Sequence, residues 1–121
     1  MRLQAGQPVR PYVQHEINAG NPVRIEITSL DWDNELEAPS ALRYRIDNLS
    51  DVVVVQDWTT INTPATKTTL TIAGTLNAIY SLWRDKQLNQ VTFEATYADG
   101  TQQIDTACYQ INQVYSATPQ G

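Results

Sequence analysis

The stretch SDVVVVQDWT, Ser50 to Thr59, sets four consecutive valines between two aspartates, with Trp58 just beyond. A strand with one wet face needs an apolar residue only at every second position. The segment before it, ALRYRIDNL (41–49), alternates cleanly: Leu42, Tyr44 and Ile46 share one face, Arg43, Arg45 and Asp47 the other. The two read as a hairpin, and loop parity decides which valines face the interior. An even loop pairs Ile46 with Val53 and Tyr44 with Val55, and it turns Asp57 inward beside Leu42. A three-residue loop pairs Ile46 with Val54 and Leu42 with Trp58, and sets Arg43 opposite Asp57. The odd loop is favoured because every charge then faces out, whereas an unpartnered inward charge costs several kcal/mol. The expectation is that Val52, Val54 and Trp58 are core. Val53 and Val55 then form an outer patch rimmed by Asp51, Asp57, Arg43 and Arg45. Covered by a partner, that patch would contribute on the order of 3–5 kcal/mol before association costs. The alternative is that the valines are good strand formers covered by the chain's own N-terminal arm.

Outward from this hairpin the chain keeps reading as strands. PVRIEITSL puts Val23, Ile25 and Ile27 on one face, and KTTLTIAG does the same with Leu70 and Ile72. Between the first strand and the hairpin, DWDNELEAPS breaks the pattern with acids, a proline and small residues, and reads as a loop. TLNAIYSLWRDKQ changes period: Leu76, Ile79, Tyr80 and Trp83 fit one or two helical turns, with Thr75 as N-cap. In the last segment Asp99-Gly100 reads as a two-residue hairpin turn. That turn pairs Ala98 with Thr101 and Val91 with Cys108, and puts Val91, Phe93, Ala95, Ile104 and Cys108 on one face. Residues 1–21, with Pro8 and Pro11, read as an arm whose VRPYVQHEI segment is a candidate edge strand. Residues 22–114 form the domain, and 115–121 a polar tail. About seven strands with short connections, and one helical turn before the last hairpin, predict an immunoglobulin-like β-sandwich, with a jelly roll as the alternative.

The chain has 121 residues, enough for one domain. Charged residues make up 17%, only two of them lysines, while Thr (14), Gln (11) and Asn (8) are abundant. Such a surface is cheaper to desolvate than a lysine-rich one and suits protein contacts, or it reflects the compositional habit of the source. A net charge of −5 and scattered arginines argue against nucleic acid or an anionic membrane as partner. No apolar run approaches the length of a membrane span. The opening MRLQAGQPVRP has no apolar core region, so it does not read as a secretory signal. A single cysteine, Cys108, rules out an internal disulfide and suits synthesis in a reducing cytosol.

Candidate chemistry is sparse. DWDNELE gathers Asp31, Asp33, Asn34, Glu35 and Glu37, but an EF-hand would need glycine where Leu36 stands and glutamate where Leu42 stands. The segment reads as a solvated acidic loop. His15 is the only histidine and sits in the arm, and Cys108 is expected on the core face. No nucleophile elbow or phosphate-binding loop is present. No catalytic residue, metal ligand or cofactor is therefore assigned. Trp58 and Trp83 have core explanations, which leaves Trp32, in the acidic loop, as the tryptophan expected to be exposed.

At RYRIDNLSDVVVVQDWT, TLTIAGTLNAIY and QVTFEATYADGT the chain resembles a group of small immunoglobulin-like structural proteins of tailed bacteriophage virions. The likeness spans roughly residues 22–114, and its motifs are an R-x-R-I-D strand, a D-W-T strand end and an N-A-I turn before a hairpin. It implies a non-enzymatic role in capsid decoration, neck or tail, in many symmetric copies made in the host cytoplasm. The implied partners are other virion proteins and further copies of the chain. The ends, with Tyr12 and Tyr115, would then be grips on neighbours, beside Val53, Val55, Arg43, Arg45 and Trp32. A free-standing immunoglobulin-like or carbohydrate-binding module using Trp32 and the acidic loop is the alternative.

Overall fold

The alternation at Val23–Ile27 is realised as a strand whose apolar side chains are sealed from solvent, and the remaining strands assemble around it. The computed structural model describes residues 2–5, 13–30, 35–81 and 83–114. These contain eight strands: β1 (Arg2–Ala5), β2 (Val13–Asn18), β3 (Val23–Leu30), β4 (Ala41–Asn48), β5 (Val53–Ile61), β6 (Lys67–Ile72), β7 (Lys86–Thr96) and β8 (Gln102–Asn112). They form a three-stranded sheet, β1-β3-β6, and a five-stranded sheet, β2-β8-β7-β4-β5. Every pairing is antiparallel except β2 with β8, which is parallel. The expected arm therefore contributes one strand to each sheet, and β2 takes the edge position read from VRPYVQHEI.

One apolar core joins the two sheets in a sandwich-like, all-β fold. Val23, Ile25 and Ile27 of β3 and Leu70 and Ile72 of β6 meet Leu42, Ile46, Val91, Phe93, Ala95 and Tyr109 of the larger sheet. The alternation read for β3, β4 and β6 holds.

The last hairpin is shifted by one residue from the expected register. Val91 pairs with Ala107 and Ala95 with Gln103. The reason lies in the turn, where the Tyr97 amide donates to the Thr101 carbonyl at 2.9 Å and the Gly100 amide to the Tyr97 carbonyl at 2.8 Å. Ala98, Asp99 and Gly100 thus form a three-residue loop. Gly100 takes φ +87°, the left-handed conformation such loops require at their last position. The Asp99 carboxylate accepts the Thr101 amide at 2.9 Å and braces the bend. The extra loop residue reverses which side of β8 faces in. Ala107, Tyr109 and Ile111 are buried, Ile104 is 65% exposed, and Cys108 lies half-buried on the outer side.

The expected helix is a single 3-10 turn, Gly74–Leu76. Leu76 and Ile79 pack on the core, but Tyr80 is 68% and Trp83 94% exposed. Hydrogen bonding rather than an apolar stripe holds this segment. Tyr109 donates its phenol hydrogen to Asn77 Oδ1 at 2.7 Å and accepts from Asn89 Nδ2 at 3.1 Å. Gln87 Nε2 donates to Asn89 Oδ1 at 2.8 Å, and Gln87 Oε1 accepts the Tyr80 amide at 2.7 Å. Asn77 Nδ2 reaches the Asn21 carbonyl at 2.8 Å, while the Gly20 amide donates to the Asn77 carbonyl at 2.9 Å. All four amide and phenol side chains in this chain of contacts are buried. A satisfied buried network fixes one arrangement because any slip strands polar groups away from water. Contact with the Gly20 turn is close enough that a Cβ on Gly74 would stand 2.1 Å from the Gly20 carbonyl oxygen.

Two outcomes follow for thermal and denaturant unfolding. Tyr109→Phe leaves Asn77 and Asn89 short of a partner and should cost about 1–3 kcal/mol. Gly74→Ala should cost a similar ~1–3 kcal/mol through the clash with Gly20. Burial pushes the Tyr109 phenol up to about 12. The unfolded chain therefore loses this proton first, near pH 10, and stability should decline between roughly pH 10 and pH 12. Tyr109→Phe should lessen that decline. An unchanged alkaline profile would contradict the burial of this phenol.

Candidate functional site

Asp57 governs how the β4–β5 hairpin is built. The loop between the strands is Leu49–Val52, four residues, and Asn48 pairs with Val53 and Asp47 with Val54. Carried along β5 without interruption, this even parity would turn Asp57 toward the core. Two irregularities intervene: Ile46 pairs with Gln56, and Tyr44 with Thr59, each one residue out of step with the pair before it. Each extra residue on β5 is a bulge that rotates the strand. The valines near the loop keep one parity, and Asp57 is delivered to solvent, its side chain 81% exposed. Local bonds stabilise the second bulge. The Asp57 carboxylate accepts the Trp58 amide at 2.7 Å, and Thr59 Oγ1 donates to the Asp57 carbonyl and accepts from Gln56 Nε2.

The outcome reverses the valine assignment. Val55 packs against the core and Val53 is half-buried above Asn48, whereas Val52 is 87% and Val54 50% exposed. Val53 and Val55 therefore do not form the outer patch; Val52 and Val54 do. Both loop readings failed because each assumed an unbroken ladder, while a bulged strand satisfies the charge and the valines together. Trp58 is likewise not core. It lies half-buried on the outer face, with the Arg43 guanidinium 4.3 Å above its ring. Nor does the described part of the arm cover the valines, since β2 lies at the opposite edge of the sheet from β5.

The turn carrying Val52 is tightly held. Asn48 Nδ2 donates to Asp51 Oδ2 and Asn48 Oδ1 accepts the Asp51 amide, both at 2.9 Å. Arg84 Nη2 donates to Asp51 Oδ1 at 3.0 Å and to the Ser50 carbonyl at 3.2 Å, and Ser50 Oγ accepts the Leu88 amide at 2.9 Å. The Asn48 bond, with help from Arg84, holds the Asp51 carboxyl below its usual range. Re-entry into β5 then requires Val52 at φ +56°. A β-branched residue is a real outlier there, at a cost of order 1–3 kcal/mol. Among the described residues it is the only non-glycine residue with positive φ.

Around Val52 and Val54 lies an apolar end of the molecule. A shallow groove runs along Arg45, Asp47, Leu49 and Val52 to Val54. A second, sharing Val53 and Val54, continues to Val55, Leu76, Ala78 and Tyr80. The charges at its margin are matched internally: Arg45 Nε lies 3.1 Å from Asp47 and its Nη1 4.0 Å from Asp57, and Arg84 holds Asp51. Arg43 is engaged elsewhere, 2.6 Å from Glu94. The arrangement is suited to contact through an apolar surface whose rim is mostly paired, with one carboxylate in excess.

Of the other candidates, Trp32, Tyr12 and Tyr115 lie outside the described residues, as do Asp31 and Asp33 of the acidic loop. Burial raises the Cys108 thiol pKa, which keeps it protonated at neutral pH and weakens it as a nucleophile. Among the described residues, no group of three potential metal ligands occurs and no helix is long and apolar enough to cross a membrane. Comparison with protein-family models, curated proteins and solved structures gives no match to this chain.

The parity is directly testable by mutation. Val55→Asp should destabilise by about 1–3 kcal/mol, because it sets a charge against the apolar core. Val54→Asp should stay within about 0.5 kcal/mol of the parent. Equal effects in urea unfolding would contradict the assigned faces.

Proposed function

We propose that this chain is a non-enzymatic structural protein of a tailed-phage virion, an immunoglobulin-like sandwich that decorates the head or sits at the neck. It is held there by protein–protein contacts. The observation that carries this reading is the apolar end at Val52 and Val54, where backbone strain is spent on displaying a greasy side chain to solvent. Strain of this kind persists where surrounding bonds enforce it, and it clusters at functional positions. A monomer with no partner would gain by placing glycine at this point of the turn.

The strand order supports the finer fold reading. With the parallel edge strand β2 set aside, the order β1-β3-β6 against β8-β7-β4-β5 is compatible with the A-B-E and G-F-C-C′ arrangement of immunoglobulin-like domains. The surface chemistry agrees with a role in assembly: two lysines in the whole chain, many uncharged amides and hydroxyls, and ion pairs closed within the molecule. Residues at such an end act through shape and apolar area, which is how a subunit holds a fixed position in a shell.

Purified particles of a phage encoding the chain provide the test. Quantitative mass spectrometry should find it in many copies per particle. Val52→Asp combined with Val54→Asp should abolish incorporation while the purified variant keeps its β-sheet circular dichroism and cooperative unfolding. Particles lacking the chain, or full incorporation of the double variant, would overturn the proposal.

A further inference from the structure

We infer that the occupant of the Val52–Val54 end is the same end of a second copy, so that the chain forms a closed two-fold dimer. The inference rests on the functional reading above for its premise that this end is a contact surface, and it names the partner. Three observations favour a second copy.

The amount of surface approaches what one interface needs. Leu49, Val52, Val54 and Tyr80, which line the two adjoining grooves, together expose on the order of 300 Å² of apolar side chain. A standard interface covers roughly 800 Å² per partner, somewhat more than half of it apolar, so the patch supplies the larger part of the apolar share of one side. It lies within the range, roughly 300–600 Å², for the largest patch on a monomer.

The shape suits a self-contact. Val52 projects from the turn, and beyond Val53 and Val54 lies a groove lined by Val55, Leu76, Ala78 and Tyr80, with the amides of Asn48 and Gln87 at its margin. A knob adjacent to a groove on one surface is satisfied by a two-fold rotation, which seats each Val52 in the other copy's groove. That contact closes at two and leaves no unfilled repeat.

The charge pattern permits like to meet like. Asp47, Asp51 and Asp57 are each paired with Arg45 or Arg84 of their own chain. Three carboxylates to two guanidiniums leave one excess negative charge per copy, at the exposed Asp57, so the contact is held by apolar area and not by charge.

The test uses the full chain in analytical ultracentrifugation across the micromolar range. The parent should show a monomer–dimer equilibrium. Val52→Gly relieves the strained φ and removes the knob, so it should unfold at the same or higher temperature while its dimer dissociation constant rises about tenfold or more. Ala78→Arg, which fills the groove from the exposed side, should weaken the dimer comparably. A parent that stays monomeric throughout, or a dimer that both variants leave intact, would overturn the inference. Incorporation into particles by a monomeric parent would defeat the dimer and leave the virion reading standing. A dimer dissociated by both variants, but absent from particles, would do the reverse.

Discussion

A carboxylate that cannot be buried alone governs the molecule. Asp57 follows four valines on a strand whose partner alternates strictly, and no regular hairpin suits both. Two bulges in β5 resolve the conflict by adding residues where Ile46 and Arg45 would otherwise meet single partners. Val55 then reaches the core, Asp57 reaches water, and the remaining valines are left outside. The exposed end is thus a consequence of satisfying the strand's own electrostatics, and the Asn48–Asp51–Arg84 clasp makes it permanent.

The opposite side of the same region is held by polar groups instead of apolar ones. Gln87 and Asn89 continue the inward face of β7 beyond Val91, Phe93 and Ala95; Gln87 bonds Asn89, Asn89 bonds Tyr109, and Tyr109 bonds Asn77. Because each partner is satisfied, the 74–80 segment stays in place without a helix. It leaves Tyr80 outside, where it extends the apolar end begun by the valines. One buried network therefore determines the far wall of the surface proposed for assembly.

Much of the architecture was legible in the residue pattern. Strands β3, β4 and β6 show unbroken alternation, and their inward residues are those the pattern selects. What escaped was parity. Asp99-Gly100 fits a two-residue turn as well as the last two positions of a three-residue one, and only the backbone bonds of Tyr97, Gly100 and Thr101 distinguish them. Ile104 and Cys108 consequently exchanged faces with Ala107 and Tyr109. The valine run failed for a related reason, since bulges leave no compositional mark. The buried amides carried a usable signal, in phase with the apolar residues of β7, but polar side chains are ordinarily assigned to water. Trp83 misled in the opposite sense: helical spacing suggested burial, and the segment is not helical beyond one turn.

Val52 and Val54 face solvent while Val55 packs on the core. Thiol labelling kinetics read this most directly. In a Cys108→Ser background, at dilutions where the chain is monomeric, Val52→Cys and Val54→Cys should react with a maleimide much faster than Val55→Cys. Rapid labelling at Val55→Cys with protection at Val54→Cys would contradict the account, returning the hairpin to the unbulged register and removing the surface on which assembly is argued.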